Sequence, residues 1–188
     1  MSAGGARLGR VPWTSAGPVS AEQRALIDTI AARWGQAGLG VSPVDGAGRL
    51  TGPFDLMAAS PAVGAAVLAL AGSFRDGLLT PAEREVAILV VADLEDSPYM
   101  RAGHEPLLRS TGVDAAATTG PCAVVREVAL ELCRTGDLAD GTFRRAVDEL
   151  GWPRLQEVVW LVGHYRSLAT AQRVARIPDP TAQEGGTR

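Results

Sequence analysis

Apolar positions recur at helical spacing along nearly the whole chain, and no stretch alternates with the period of a strand, so the pattern predicts an all-α fold. Ser20 and Gln23 offer a capping box for a helix through about Trp34, with Leu26, Ile27, Ile30 and Trp34 on one face. A glycine-rich connection from Gly35 to Gly52 follows, and Ser60-Pro61 opens a second helix through Ala71, where Gly64, Ala65, Ala66 and Ala69 permit close packing. Thr80, Pro81 and Glu83 supply a cap, a first-turn proline and a capping-box acid, and Ser97-Pro98 repeats the cap-then-proline start. Between these starts Val86 to Val91 is apolar on every side, which in a helix demands neighbours in all directions; a subunit interface would complete that cover.

Past a loop at Thr118, Thr119, Gly120 and Pro121, three more helices are expected. One bears Val124, Val125, Val128, Leu132 and Cys133; one runs from near Asp140 to Leu150, with Gly151 as stop signal; the last starts at Pro153 and carries Val158, Val159, Leu161, Val162, Tyr165 and Leu168. The expected molecule is a bundle of about six to seven helices around a central antiparallel hairpin, with a single domain over 20–177. A flexible segment at 1–19 and a disordered tail at 178–188 flank it.

Composition narrows the function classes. The 188 residues are 46% hydrophobic, enough for one sizeable core, and a net charge of −3 with 5% aromatics leaves no basic, stacking face for nucleic acid. Ala62 to Gly72 and Val86 to Ala92 are too short to span a membrane and no apolar leader opens the sequence, so no membrane partner is expected and the expected compartment is the cytoplasm. Lysine is absent, which excludes a lysine Schiff base. With two histidines and no cysteine pair at ligand spacing, neither a metal nor another cofactor is expected. Cys122 and Cys133 on one helix would lie about 16 Å apart along its axis, beyond disulfide reach, and read as small buried hydrophobes.

The candidate chemistry centres on His104. On a regular helix Ser97, Met100 or Arg101, and His104 recur on one face, a polar stripe beside the apolar run. Glu85 precedes His104 by nineteen positions, and a short-turned antiparallel hairpin could bring the two together. A carboxylate beside an imidazole fixes its tautomer and suits it to proton transfer near neutral pH. The alternatives are a helix-face histidine that is merely hydrogen-bonded, and a Glu85 that pairs with Arg84 or Arg101. Arg101 could hold a substrate carboxylate, enolate or carbonyl oxygen, or could neutralise Glu85 or Glu105. His164 and Tyr165 are weaker candidates for a second proton carrier.

Arg84-Glu85, the run Val86 to Ala92, Tyr99 and His104 match a pattern in which a helix of the type L-x-P-x-x-R-E and an apolar run precede a segment ending in histidine. Gly48 to Phe54 matches a G-P-F loop, and Leu161 to Tyr165 a closing helix. By these motifs the chain, from about Arg49 to Ile177, resembles the carboxymuconolactone decarboxylase family, which includes the alkyl hydroperoxidase D-type peroxidases. The resemblance implies Glu85 as the acidic partner of a catalytic His104, with Arg101, Ser97, Tyr99, Met100, Phe54, Arg49 and His164 around the substrate. It also implies a homo-oligomer, trimeric or hexameric.

Ser97 and Met100 stand where the peroxidases carry C-x-x-C, so thiol hydroperoxidase chemistry is not expected. Met100-Arg101 replaces the Glu-Trp of many other members, pointing to a different ligand. The expected activity is cofactor-free acid–base chemistry on a small cyclic lactone or carboxylated ring compound, as decarboxylation, isomerisation or ring closure in specialised metabolism. A non-catalytic small-molecule-binding or scaffold protein of the same fold is the alternative.

Overall fold

A computed structural model describes residues 6–34, 40–114, 116 and 119–180, with the backbone alone at Trp34. The fold is all-α. Its helices among the described residues are α1 (Ala21–Trp34), α2 (Gly52–Ala59), α3 (Pro61–Ser73), α4 (Pro81–Leu94), α5 (Pro98–Ser110), α6 (Gly120–Thr135), α7 (Asp140–Leu150) and α8 (Trp152–Ala175). The only strands among those residues are a two-residue antiparallel pair, β1 (Arg7–Leu8) and β2 (Val11–Pro12).

The count exceeds the expected six to seven because the G-P-F segment, read as a loop, is the helix α2. Pro53 sits in its first turn, where a missing N–H costs no helical bond. Gly52 before it has φ +55°, a backbone that glycine adopts without strain. α2 is eight residues long, and Ser60 alone stands between its end and Pro61, the first residue of α3.

α4 is the central element. Its capping box is closed: the Glu83 N–H donates to Thr80 Oγ1 at 3.3 Å and the Thr80 N–H donates to Glu83 Oε2 at 2.9 Å. Every residue from Val86 to Ala92 is buried, and α5, α6 and α8 of the same chain surround the helix. The cover expected from a subunit interface is therefore supplied within one chain. The main core joins α4, α6, α7 and α8, while a second cluster joins α1, α2 and α3; Leu168 of α8 packs against both. α5 folds back on α4 as the expected hairpin.

Residues 6–19, read from composition as a loose surface segment, are fastened to the body. Leu8 is buried, the Trp13 indole donates to the Leu50 carbonyl at 2.7 Å, and Asp55 accepts from the Thr14 and Ser15 N–H groups at 2.8 Å each and from Ser15 Oγ at 2.6 Å. Residues 1–5, 35–39, 118 and 181–188, which the remaining loop and tail expectations concern, lie outside the described residues. No helix among the described residues is long and apolar enough to cross a membrane.

Candidate active site

Glu85 lies one turn into α4 and His104 in the middle of α5, and the hairpin sets them side by side: His104 Nδ1 is 2.7 Å from Glu85 Oε2. Their side chains are 16% and 3% exposed. The other carboxylate oxygen, Oε1, accepts from Arg84 Nε at 3.1 Å, so the acid pairs with the arginine and the histidine together. A carboxylate held this way can only accept, which makes Nδ1 the protonated nitrogen of a neutral His104 and leaves the Nε2 lone pair available as a base.

His104 lines two hollows. The inner cavity, about 70 Å³, runs along the seam between the two core clusters. Phe54 and Met57 of α2, Leu68 and Ala71 of α3, Met100 and Gly103 of α5, and Tyr165, Leu168 and Gln172 of α8 enclose it with Tyr99. The α8 contribution follows helical spacing, i, i+3, i+7. The outer cleft, about 310 Å³, is lined by Arg75, Arg84, Glu85, Ser110, Thr111 and apolar neighbours. Ala71, His104 and Tyr165 belong to both hollows.

Tyr165 stands edge-on to His104, ring centres 5.2 Å apart at 88°. Burial raises its pKa, with the Glu85 charge adding and Arg84 and Arg75 opposing, so its phenol stays a proton-bearing donor. Tyr99 is pushed up to about 12 by burial against the opposing pull of its Thr51 hydrogen bond, the two hydroxyls 2.9 Å apart. Gly52 faces the Tyr99 ring so closely that a Cβ there would lie 2.2 Å from it, and this contact sets the ring as a wall of the cavity.

Of the residues expected at the site, Glu85, His104, Phe54, Tyr99 and Met100 gather around these hollows. Four do not. Met100 and Arg101 flank the His104 direction on opposite sides of α5; the apolar Met100 is buried, whereas Arg101 is exposed and pairs with Asp93. Ser97 is buried with its hydroxyl on Gln172 Oε1 at 3.1 Å, so it supports a wall residue and does not line the cavity. Arg49 is drawn to Asp45, 2.7 Å away, and lies over the Trp13 ring, in a separate cleft. His164 packs between Phe74 and Tyr165, outside both hollows, with Nε2 lacking a hydrogen-bond partner; burial pushes its pKa down to about 4.

Arg75 and Gln172 were not among the sequence candidates. Gln172 carries a signal, since it continues the helical stripe of Tyr165 and Leu168. Arg75 lies in the turn after α3, where no periodicity exists to mark it. Cys122 and Cys133 are both free, line neither hollow, and have thiols raised by burial. No group of three or more His, Cys, Asp or Glu side chains that could hold a metal occurs among the described residues.

The fold and this geometry define an all-α protein with a carboxylate-oriented histidine that lines both an apolar cavity and a cleft carrying Arg75, Arg84 and Glu85. No family model, curated protein or solved structure matches the chain.

Proposed function

We propose that the protein is a cofactor-free enzyme that moves a proton on a small, largely apolar substrate, with His104 as the general base and acid and Glu85 as its orienting partner. The observation that carries this reading is the 2.7 Å Nδ1 to carboxylate contact of a histidine that faces both hollows. Once Nε2 takes a proton from a carbon acid, Glu85 stabilises the imidazolium. Tyr165 is placed to donate a hydrogen bond to oxygen charge developing on the substrate. The resemblance to the carboxymuconolactone decarboxylase family agrees with the Glu85–His104 pairing and extends the proposal to lactones or carboxylated rings. Ser97 and Met100 at the redox-pair positions argue against thiol peroxidase chemistry. A homo-oligomer belongs to the same proposal: Trp160, 65% exposed, is apolar surface that a second copy would cover, and native sizing tests it.

The test is exchange of carbon-bound protons with deuterated water, followed by nuclear magnetic resonance over a panel of cyclic oxo acids and lactones. Exchange by the wild type, reduced about 10²–10⁴-fold in a folded His104→Gln, is the expected result. An unchanged rate in that variant, or no exchange across the panel, contradicts it. One observation favours a binding protein without turnover, namely that Glu85 is also the ion-pair partner of Arg84. Binding of panel members without exchange would establish that second reading.

A further inference from the structure

Among the described residues that border the inner cavity, Gln172 brings the one amide, and its orientation is set from behind. The Ser97 hydroxyl donates to Gln172 Oε1 at 3.1 Å, and both residues are buried, 5% and 6% exposed. With the amide reversed, Nε2 would donate to Ser97, and the hydroxyl proton would need an acceptor that the described residues do not supply. Oε1 is therefore engaged, while the two N–H bonds of Nε2 meet no acceptor among the described residues. Nor is that nitrogen sealed. The walled-in side-chain atoms without a partner among those residues are Arg154 Nε and His164 Nε2, so the Gln172 amide nitrogen keeps an open face, and the hollow its residue borders is the inner cavity.

Gln172 lies seven residues beyond Tyr165 on α8, two helical turns, and a helical side chain leans toward the N-terminus of its own helix. The amide and the Tyr165–His104 ring pair thus open on one small space and reach the same occupant. The other polar groups there are committed: the Tyr99 hydroxyl lies 2.9 Å from Thr51 Oγ1, and His104 answers the Glu85 carboxylate. No arginine is among the described residues bordering this cavity, so an anion would lose its hydration without gaining a cation. A neutral carbonyl oxygen needs only the donor that Gln172 offers. We infer that Gln172 is the specificity residue of this site: Nε2 donates to the carbonyl oxygen of an uncharged ring compound, a cyclic ketone or lactone, and Ser97 is the positioning residue that holds the amide. A volume of about 70 Å³ suits such a ring, with about five to seven heavy atoms at roughly 10–15 Å³ each. That assignment rests on the proton-transfer reading for the ligand's role as substrate, and it narrows lactones and carboxylated rings to uncharged carbonyl compounds.

Titration of the full chain with cyclohexanone, methylenecyclohexane and cyclohexanecarboxylate, followed by nitrogen-15 correlation spectra, tests the assignment. The chain has no asparagine, so its side-chain amide signals come from glutamine alone, and through-bond correlations assign the Gln172 pair in the wild type. The ketone is expected to move that pair downfield; the alkene, of the same shape without an acceptor, is expected to leave it in place. The ratio of ketone to alkene affinity should fall about tenfold or more in Gln172→Met, with alkene binding retained. Ser97→Ala should lower the same ratio part of the way, again with alkene binding retained, which a merely structural hydroxyl would not do. An unmoved Gln172 signal under ketone, a carboxylate that binds tighter than the ketone, an undiminished ratio in a folded Gln172→Met, or no binding of any probe overturns the inference. Binding needs no proton transfer, so the two readings fail separately. Ketone preference through Gln172 without carbon-acid exchange overturns only the proton-transfer reading; exchange of a bound ketone with no dependence on Gln172 overturns only this one.

Discussion

At the scale of single residues, the chemistry depends on which side chains face the two hollows and which face elsewhere. Arg101 has a solvent-exposed partner in Asp93. Arg101→Ala is therefore expected to leave probe binding unchanged and stability within about 0.5 kcal/mol, measured by calorimetry and thermal unfolding. Sequence spacing placed both Met100 and Arg101 near the His104 face; what it lacked was the position of α4, which decides which flank is buried. His164 was legible as a rare residue but not as a buried one. Its pKa, lowered from 6.5 to about 4, gives a defined sign. In that window the unfolded chain binds the proton and the folded chain does not, so stability falls as pH drops below 6.5 toward 4. His164→Phe, which also removes the unpartnered Nε2, should flatten this part of the stability curve in denaturant titrations at several pH values. An unaltered slope would place the acid sensitivity elsewhere.

At the scale of elements, α2 shows where pattern reading stops. The caps of α1 and α4 and the glycine stop of α7 are local chemistry and could be read directly. α2 is short, follows a glycine-rich stretch and is fixed by distant contacts: Asp55 holds Thr14 and Ser15, and Gly52 lies against Tyr99. No periodicity announces a buried aspartate forty residues from its donors. Asp55→Ala should destabilise the fold by about 1–3 kcal/mol, since it removes a buried acceptor and strands the part-buried Thr14 and Ser15 donors of charge-assisted bonds. Gly52→Ala forces a side chain into the Tyr99 ring at a positive φ, and should cost about 1–3 kcal/mol while displacing a cavity wall. Thermal unfolding checks both, and weaker probe binding by Gly52→Ala separates wall from scaffold.

At the scale of the whole molecule, two acids fasten α8 to α4. Glu83 takes Arg154, and Glu95 takes Arg166 at 2.8 Å and Arg173 at 2.9 Å. Burial alone would raise both carboxyl groups; against it, the Arg154 and Thr80 hydrogen bonds with the Arg154 charge on Glu83, and the hydrogen bonds and charges of Arg173 and Arg166 on Glu95, together hold them below the ordinary glutamate value. Their contribution is therefore complete above that value and lost as pH falls through the lowered folded one, adding an acid limb that begins at the lower end of the His164 window.

The all-helical class and the hairpin were legible because they depend on periodicity and a short turn, which allowed a Glu85–His104 contact without choosing it over the Arg84 pairing that Glu85 also makes. The outer cleft was not legible, because Arg75, Arg84 and Tyr165 converge from a turn and two helices far apart in sequence. The central claim, that Glu85 fixes His104 with Nε2 unprotonated, is tested most directly by nitrogen-15 imidazole spectroscopy of the full chain. The chain has two histidines, and a His164→Phe variant assigns them. The expected result is that the neutral form of His104 carries its proton on Nδ1, a preference lost in Glu85→Gln. A neutral His104 carrying its proton on Nε2 in the wild type would contradict it.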